Sequence, residues 1–207
     1  MADARVVSAD TLAPWAEIVP RHGRTTVDDL LTLPDDGWRY EVVEGVLVRM
    51  AGSSFDATTI AFNLGADLRA FARPRRLGVV TGADGVYKFP GAETGLLPDV
   101  GFVEAAKVPV IDRTKPIPFA PDLAIEVASP SQKLGSDEMA AKARRYLQGG
   151  TRLVWVVWPE RQEVDVWRAA NVDRADATLH VDDVLDGEDI VPGFTYRVAD
   201  VFADPLG

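Results

Sequence analysis

The chain has 207 residues, of which 47% are hydrophobic and 26% are charged, the composition of an ordinary globular domain. It contains no cysteine, which excludes disulfide frameworks, thiolate zinc sites and cysteine nucleophiles. The net charge of −10 argues against a general nucleic-acid binder, although it is compatible with a local cationic groove or a bound divalent metal.

The first third of the chain is predicted to contain an arm, a short helix and a hairpin. Residues 1–24 show little periodicity and are expected to form a flexible arm, whereas residues 25–207 are expected to form a single domain. Threonines that can cap a helix precede residues 27–33, and a proline follows them, which predicts a short helix. Two β-prone runs flank the pair Glu44 and Gly45, which predicts a hairpin over residues 38–50.

A longer helix is predicted next, followed by short strands. From Ser54 onward, apolar residues recur at intervals of three and four, which predicts an amphipathic helix that Pro74 ends. Glycines and prolines then separate three β-prone runs, at residues 78–81, 85–89 and 100–103. Three prolines within residues 104–120 favour a surface loop.

The second half of the chain predicts a strand–helix–strand crossover. Residues 122–128 and 153–158 are apolar runs typical of buried strands, and a helix that begins at Ser136 lies between them. Such a crossover places the two strands parallel. An antiparallel neighbour is predicted at residues 164–167, and a short strand and a helical turn near residues 195–200. We therefore expect an α/β (α+β) fold with a mixed β-sheet flanked by helices and an added N-terminal hairpin.

No secreted or membrane-inserted class of protein fits this pattern. The first residues lack the basic flank and continuous apolar core of a signal peptide. The longest apolar run, residues 153–158, is far too short to span a membrane. We expect a cytoplasmic protein with no membrane partner.

Three ionisable residues lie where a solvated surface is not the obvious explanation. Glu126 stands inside an apolar strand, where a carboxylate must be paired, protonated, metal-bound or open to solvent at an edge. Asp99 begins another apolar strand, and Lys142 shares one helix face with Tyr146. Each residue alone has a simpler explanation as a solvated side chain or a turn residue. Together, two carboxylates at neighbouring strand ends form a hard oxygen site suited to Mg²⁺ or Mn²⁺.

Several motifs resemble those of one known family. The chain is similar to the Uma-type restriction endonucleases, a branch of the PD-(D/E)XK nuclease superfamily. The likeness extends from about residue 25 to about residue 202. It rests on the motifs YEVVEGVL at 40–47, PD at 98–99, IEVASP at 125–130, Asp137 with Lys142 and Tyr146, and VWVVWP at 154–159.

This resemblance implies a restriction-endonuclease-like core and a set of site residues. It implies a Mg²⁺ or Mn²⁺ ion held by Asp99 and Glu126, with the acidic pair Glu44 and Glu41 completing the site. The superfamily usually has a lysine two residues after the second acid.

The chain departs from the family pattern at two positions. Ala128 occupies the place of the usual strand lysine, so Lys142 on the following helix is the candidate replacement. Asp56 stands where family members often have a histidine, and an additional acid there raises local repulsion.

The first hypothesis is an endonuclease that hydrolyses DNA phosphodiester bonds with Mg²⁺ or Mn²⁺. A second is a catalytically weak or inactive module that uses the same fold to bind nucleic acid or protein. A third is a metal-dependent hydrolase of another phosphoester. Trp155, Trp158 and Trp167 are expected to pack in or beside the sheet, and a homodimer through exposed tryptophans near residues 155–167 is also considered. The basic cluster at residues 73–76 is interpreted either as a solvated helix end or as a phosphate contact.

Overall fold

The computed structural model describes residues 17–19, 23–129 and 136–204. Within that part, three β-sheets contain thirteen strands, and three α-helices and two 3₁₀ helices accompany them. The helices are α1 (Phe55–Ala72), α2 (Ser136–Gln148) and α3 (Val198–Val201), and the 3₁₀ helices are Asp28–Thr32 and Ala105–Val110. The strands are β1 (Glu17–Ile18), β2 (Arg39–Val43), β3 (Val46–Met50), β4 (Gly78–Gly82), β5 (Tyr87–Lys88), β6 (Gly95–Leu96), β7 (Val100–Glu104), β8 (Leu123–Val127), β9 (Leu153–Trp158), β10 (Glu163–Arg168), β11 (Ala177–Leu179), β12 (Val184–Asp186) and β13 (Thr195–Arg197).

A six-stranded mixed sheet is the centre of the fold. Its strand order is β11-β10-β9-β8-β7-β4, in which β8 and β9 are parallel and the other pairs are antiparallel. The parallel pair is joined through α2, as the crossover predicted. Every residue of β8 and β9 is buried, because covered strands inside a sheet lack a solvated face. The predicted mixed sheet flanked by helices is confirmed.

The predicted hairpin is also confirmed, and it belongs to a second sheet of five strands, ordered β1-β3-β2-β6-β5. Strands β2 and β3 pair from Arg39 with Met50 to Val43 with Val46. The two turn residues both have positive φ, 51° at Glu44 and 82° at Gly45. Two successive left-handed residues form the type I′ turn, whose twist matches that of the flanking strands.

The two faces of the central sheet are covered by different elements. Helix α1 buries a stripe of apolar side chains against one face, where β8 contributes Leu123, Ile125 and Val127. Helix α2 and strands of the second sheet cover the opposite face, towards which Ala124 and Ala128 point. Because side chains alternate along a strand, Glu126 lies on the same face as these alanines. The carboxylate is therefore directed towards α2 and the hairpin.

The structure adds short elements that the sequence did not predict. Strands β6, β11 and β12 have only two or three residues, too few to show an alternating pattern. A 3₁₀ helix occupies part of the predicted loop at 104–120. Strand β1 lies within the predicted arm and pairs with β3 of the hairpin. Residues 1–16 and 20–22 of the arm lie outside the described residues. The arm and the single domain over 25–207 stay predictions.

The tryptophans considered for a dimer interface are not exposed. Trp155, Trp158 and Trp167 have 0%, 6% and 5% of their surface accessible, since all three lie in the core on either side of the central sheet. The prediction that they pack in or beside the sheet is therefore confirmed, and the homodimer loses the exposed tryptophan surface on which it was based. None of the helices in the described ranges has the length and apolar character needed to cross a membrane.

Two neighbouring positions of α1 are predicted to differ sharply in their effect on stability. Leu64 is fully buried against the central sheet, whereas Phe62 is 74% exposed. Leu64→Ala leaves a cavity and should lower the free energy of unfolding by about 2–5 kcal/mol. Phe62→Ala should change it by less than about 0.5 kcal/mol. Urea unfolding measures both values, and equal losses in the two variants would contradict this placement of α1.

Candidate active site

The site begins with two carboxylates on adjacent strands of the central sheet. The antiparallel register pairs Val100 with Ile125, which sets Asp99 beside Glu126 at the end of the pair. Asp99 is fixed further because its Oδ2 accepts a hydrogen bond of 2.8 Å from the backbone N–H of Val127. Like charges facing each other across a sheet repel, so this pair requires a cation or a proton nearby.

Helix α2 supplies two partners for Glu126. Lys142 and Tyr146 lie four residues apart and so share one face of the helix. The Lys142 Nζ lies 3.0 Å from Oε1 and 3.1 Å from Oε2 of Glu126. The Tyr146 hydroxyl lies 2.7 Å from Oε1 and donates to it when the carboxyl is ionised. Both oxygens of Glu126 are thus partnered, as a carboxylate buried to 5% exposure requires.

The hairpin supplies a third carboxylate, that of Glu41. Its Oε1 lies 3.2 Å from the Lys142 Nζ and also accepts a 3.0 Å hydrogen bond from the backbone N–H of Leu97. Glu44, in contrast, lies in the turn with an exposed side chain. Its backbone N–H donates to Thr94, and its charge acts on Arg145. The structure therefore brings Glu41 to Lys142 and does not bring Glu44 there.

Arg39 is a site residue that the sequence reasoning missed. It precedes Glu41 by two positions on β2, so the two side chains lie on one face of the strand. Its Nη1 lies 3.9 Å from Oδ1 of Asp99, and its Nη2 donates to the carbonyl of Ala83. Its Nε is buried without a hydrogen-bond partner, and the nearest carboxylate oxygen, on Asp84, is 3.9 Å away. The sequence signal that could have identified Arg39 is its spacing of two residues from Glu41, which places both side chains on the same face of a strand.

Carboxyls outnumber the cations that touch them. The carboxyls of Glu41, Asp99 and Glu126 have two cations within 4 Å, Lys142 and Arg39, and the charge of Glu41 also acts on Arg145. Burial raises the pKa of Glu126 to about 7, and Asp99 and Glu41 add to the rise while Lys142 opposes it. Burial likewise raises the pKa of Asp99, against the effect of Lys142. Without a further cation, the cluster therefore tends to retain a proton near neutral pH.

Lys142 is held in its charged form. Burial alone lowers the pKa of a lysine, but here Glu126, Glu41 and Asp99 together outweigh burial and raise it. An ammonium with a raised pKa cannot accept a proton at neutral pH. Lys142 is thus suited to stabilise negative charge and is not suited to act as a general base.

A small cavity lies beside the carboxylates, and its size and lining determine whether a metal ion fits there. It has a volume of about 10 Å³ and is lined by residues that include Asp99, Glu126, Lys142 and Arg39. That is about the space that one water molecule occupies. In the part of the chain that the structure describes, no three Asp, Glu, His or Cys side chains converge to hold one ion. The donor set therefore fits Mg²⁺ bound through two carboxylates and otherwise by water or substrate oxygens, and does not fit an all-protein cage.

The remaining sequence candidates lie around this cluster. Ala128 is buried with Met139 on the Glu126 face of β8, so a longer side chain at 128 would compete for space near Lys142. Asp56 is exposed in the first turn of α1. The basic cluster at residues 73–76 is exposed at the other end of α1, where Arg75 stacks on Phe71. These basic residues at 73–76 do not belong to the buried cluster around Glu126.

Removal of the central cation should destabilise the protein. Lys142→Ala leaves Glu41 and Glu126 buried without their counter-charge, so the free energy of unfolding should fall by about 3–5 kcal/mol. The matched control is Lys115→Ala, because Lys115 is 67% exposed and lies 3.9 Å from Asp112. The control should change stability by less than about 0.5 kcal/mol. Equal stability of the two variants in urea unfolding would show that the buried ion pairs are not formed.

The raised pKa of Glu126 predicts how stability depends on pH in metal-free protein. A carboxyl with a higher pKa in the folded than in the unfolded state stabilises the fold at low pH, and this contribution is lost as pH rises from about 4.5 through about 7. The stability of the wild type relative to Glu126→Gln should therefore decrease by on the order of 1 kcal/mol or more between about pH 5 and pH 8. Denaturant unfolding in EDTA measures it. An increase over this range would show that the folded state lowers the pKa.

Comparisons with known proteins agree with this architecture. One solved structure with a similar fold is a protein from Anabaena variabilis described as a putative nuclease belonging to DUF820. It superposes with a TM-score of 0.70 over 86% of this chain and 97% of its own, at 20% sequence identity. This likeness confirms the nuclease-like fold. No protein with a curated description matches the chain. A family model described as putative restriction endonuclease matches residues 27–199, and the chain therefore belongs to the Uma2 family.

Proposed function

We propose that the chain is an endonuclease that hydrolyses DNA phosphodiester bonds with the help of Mg²⁺ or Mn²⁺. The observation that carries this proposal is the pair Asp99 and Glu126 beside a cavity large enough for one ion, with the Lys142 ammonium at its wall. Membership of a family described as restriction endonucleases supports the nuclease class of activity.

Asp99 and Glu126 are the residues that would hold the metal, with Glu41 as the third acid of the cluster. Glu44 is left out of this proposal because its side chain is exposed in the hairpin turn. A divalent ion, when bound, would polarise the phosphodiester and lower the pKa of a water molecule. It would also add positive charge beside three carboxyls that have only two cations within 4 Å.

The chain's own residues would bind and orient the reacting groups. Lys142 stays protonated and would stabilise negative charge that develops on the phosphate oxygens. Arg39 lines the small cavity and its Nη1 lies 3.9 Å from Oδ1 of Asp99, so its guanidinium can donate a hydrogen bond to a phosphate oxygen there. Tyr146 holds one Glu126 oxygen in position. In the reaction, a water oxygen bonds to phosphorus and loses a proton to the solvent, one P–O bond to a sugar breaks, and the departing sugar oxygen gains a proton from the solvent.

A binding module without catalysis is the second candidate, and one observation favours it. Lys142 already pairs with both Glu126 and Glu41, so the cluster can exist as a closed ion-pair network when one of its carboxyls keeps a proton. In that case no metal is needed to offset the carboxylates. The two candidates differ in a measurable property, which is affinity for a divalent ion.

Metal affinity is predicted from the excess negative charge. Mn²⁺ at a hundredfold excess over its dissociation constant should stabilise the wild type by about 2.7 kcal/mol. Asp99→Asn and Glu126→Gln should each lose most of this gain, whereas Glu160→Gln, at an exposed glutamate, should retain it. Urea unfolding with and without Mn²⁺ measures the gain. The absence of any gain in the wild type would favour the closed network.

Cleavage itself tests the activity. Wild-type protein should cut supercoiled plasmid and single-stranded DNA with Mn²⁺ or Mg²⁺ and should lose activity in EDTA. Glu126→Gln resembles the protonated carboxyl in shape, so it should fold normally while cleavage falls at least about 100-fold. Glu160→Gln serves again as the control. Undiminished cleavage by both Glu126→Gln and Asp99→Asn would overturn the assignment.

A further inference from the structure

A larger cavity adjoins the proposed active site and takes no part in the proposed hydrolysis of the phosphodiester bond. It has a volume of about 480 Å³ and lies between α1 and β4. It shares Arg39, Ser53 and Asp99 with the small cavity that holds the carboxylates, so the two spaces meet at Asp99. A volume of this size is typical of pockets that take a small organic group.

One face of α1 forms a wall of this cavity. The lining positions recur at helical spacing and, apart from Thr58 and Arg69, carry apolar or small side chains: Thr58, Ala61, Phe62, Gly65, Ala66 and Arg69. The opposite wall comes from β4, where Val80 and Gly82 contribute. The cavity is therefore a mainly apolar slot between a helix and a strand, and the side chains of Arg69 and Arg39 add two cationic groups to its lining.

Phe62 is the residue that points to a ligand. It lines the cavity, yet 74% of its surface is exposed, so its ring is available at the mouth. An aromatic ring beside an apolar slot suits a flat aromatic group that can stack on it. The guanidinium groups of Arg39 and Arg69 suit a ligand that also bears negative charge. A nucleotide combines these two properties in one molecule.

We propose that this cavity binds an unpaired nucleobase of the DNA strand whose phosphate lies at Asp99 and Glu126. The inference rests on the proposed nuclease function and adds a substrate class to it, which is single-stranded DNA. A base in an intact duplex is stacked and paired, so it enters such a slot only after it rotates out of the helix, at a cost of a few kcal/mol. An unpaired strand pays almost none of this cost.

The position of the cavity supports this occupant. Because it begins at Asp99, a base inside it and a phosphate at the carboxylates can belong to one nucleotide or to two neighbours. Stacking on a single aromatic ring does not distinguish the four bases, so the slot would favour unpaired strands without reading their sequence. Arg73, the C-cap residue of α1, lies four residues after Arg69 and extends the row of cationic side chains to the end of the helix.

Binding of a base can be measured separately from cleavage. The probes are a fluorescent oligothymidylate and an abasic sugar-phosphate oligomer of the same length and charge. Both probes are measured with the cleavage-deficient variant Glu126→Gln. Fluorescence anisotropy should show that the oligothymidylate binds about tenfold more tightly than the abasic oligomer. Adding Phe62→Ala should remove this difference. Adding Phe55→Ala should preserve it, because Phe55 is 73% exposed on the same helix and does not line the cavity.

A second variant fills the slot instead of opening it. Gly82 is paired with Val100, so a side chain at 82 would point to the same face and enter the cavity that Val100 lines. A Cβ at Gly82 has no other heavy atom within 4 Å, so Gly82→Ile should fold normally. It should remove the preference for the base-containing oligomer as Phe62→Ala does. Unfolding experiments confirm that both variants are folded.

The possible outcomes separate this inference from the proposed function. Equal binding of the two oligomers by the Glu126→Gln protein would overturn the base pocket, even if the wild type cleaves DNA. A base-dependent affinity that Phe62 controls would support the pocket, even if no substrate is cleaved. A wild-type dimer that Phe62→Ala converts to a monomer in sedimentation would assign the cavity to a second copy of the chain and overturn the inference.

Discussion

The contact on which the rest of the site depends is that of the Lys142 ammonium with Glu126 and Glu41. Each partner comes from a different element: Lys142 from α2, Glu126 from the central sheet and Glu41 from the hairpin. A buried charge must be compensated, so these three elements cannot separate without exposing an unpaired ion in the core. The hairpin is in this way part of the same electrostatic unit as the central sheet. The contact holds Glu126 beside Asp99.

Such a cluster is costly, and its arrangement favours a functional explanation. Apolar residues of similar volume would often stabilise a core as well as a buried ion network does. Here three carboxyls have only two cations within 4 Å, and burial raises the pKa of Glu126 to about 7, so the site can take up a proton or a metal ion. Strongly perturbed carboxyls in a cleft are typical of functional sites. Asp99 is only partly buried, and both Asp99 and Arg39 line the larger cavity, so the cluster has an open side there.

The chain as a whole is acidic, but its charge is distributed unevenly. Its net charge is therefore compatible with the proposed binding of DNA, which is a polyanion. The net charge is −10, yet Arg39 and Arg69 line the cavity that adjoins Asp99. The field within a cleft depends on nearby groups and on the low dielectric of its walls more than on the mean charge. An acidic exterior with a locally cationic slot would disfavour nonspecific binding to duplex DNA over a large surface. It would leave recognition to the few groups inside the slot.

Local patterns in the sequence determined the main elements. Apolar periodicity predicted α1 and α2, the Glu44–Gly45 pair predicted the hairpin turn, and the crossover predicted that β8 and β9 are parallel. The motifs also identified Asp99, Glu126, Lys142 and Glu41 as candidates. Tertiary structure alone decided which of these residues meet, because contacts between strands distant in sequence depend on register and packing. It placed Glu44 in an exposed turn, added Arg39 to the site and left the slot beside Phe62. Periodicity shows which face of an element is apolar, but only packing shows what that face contacts and where a cavity remains.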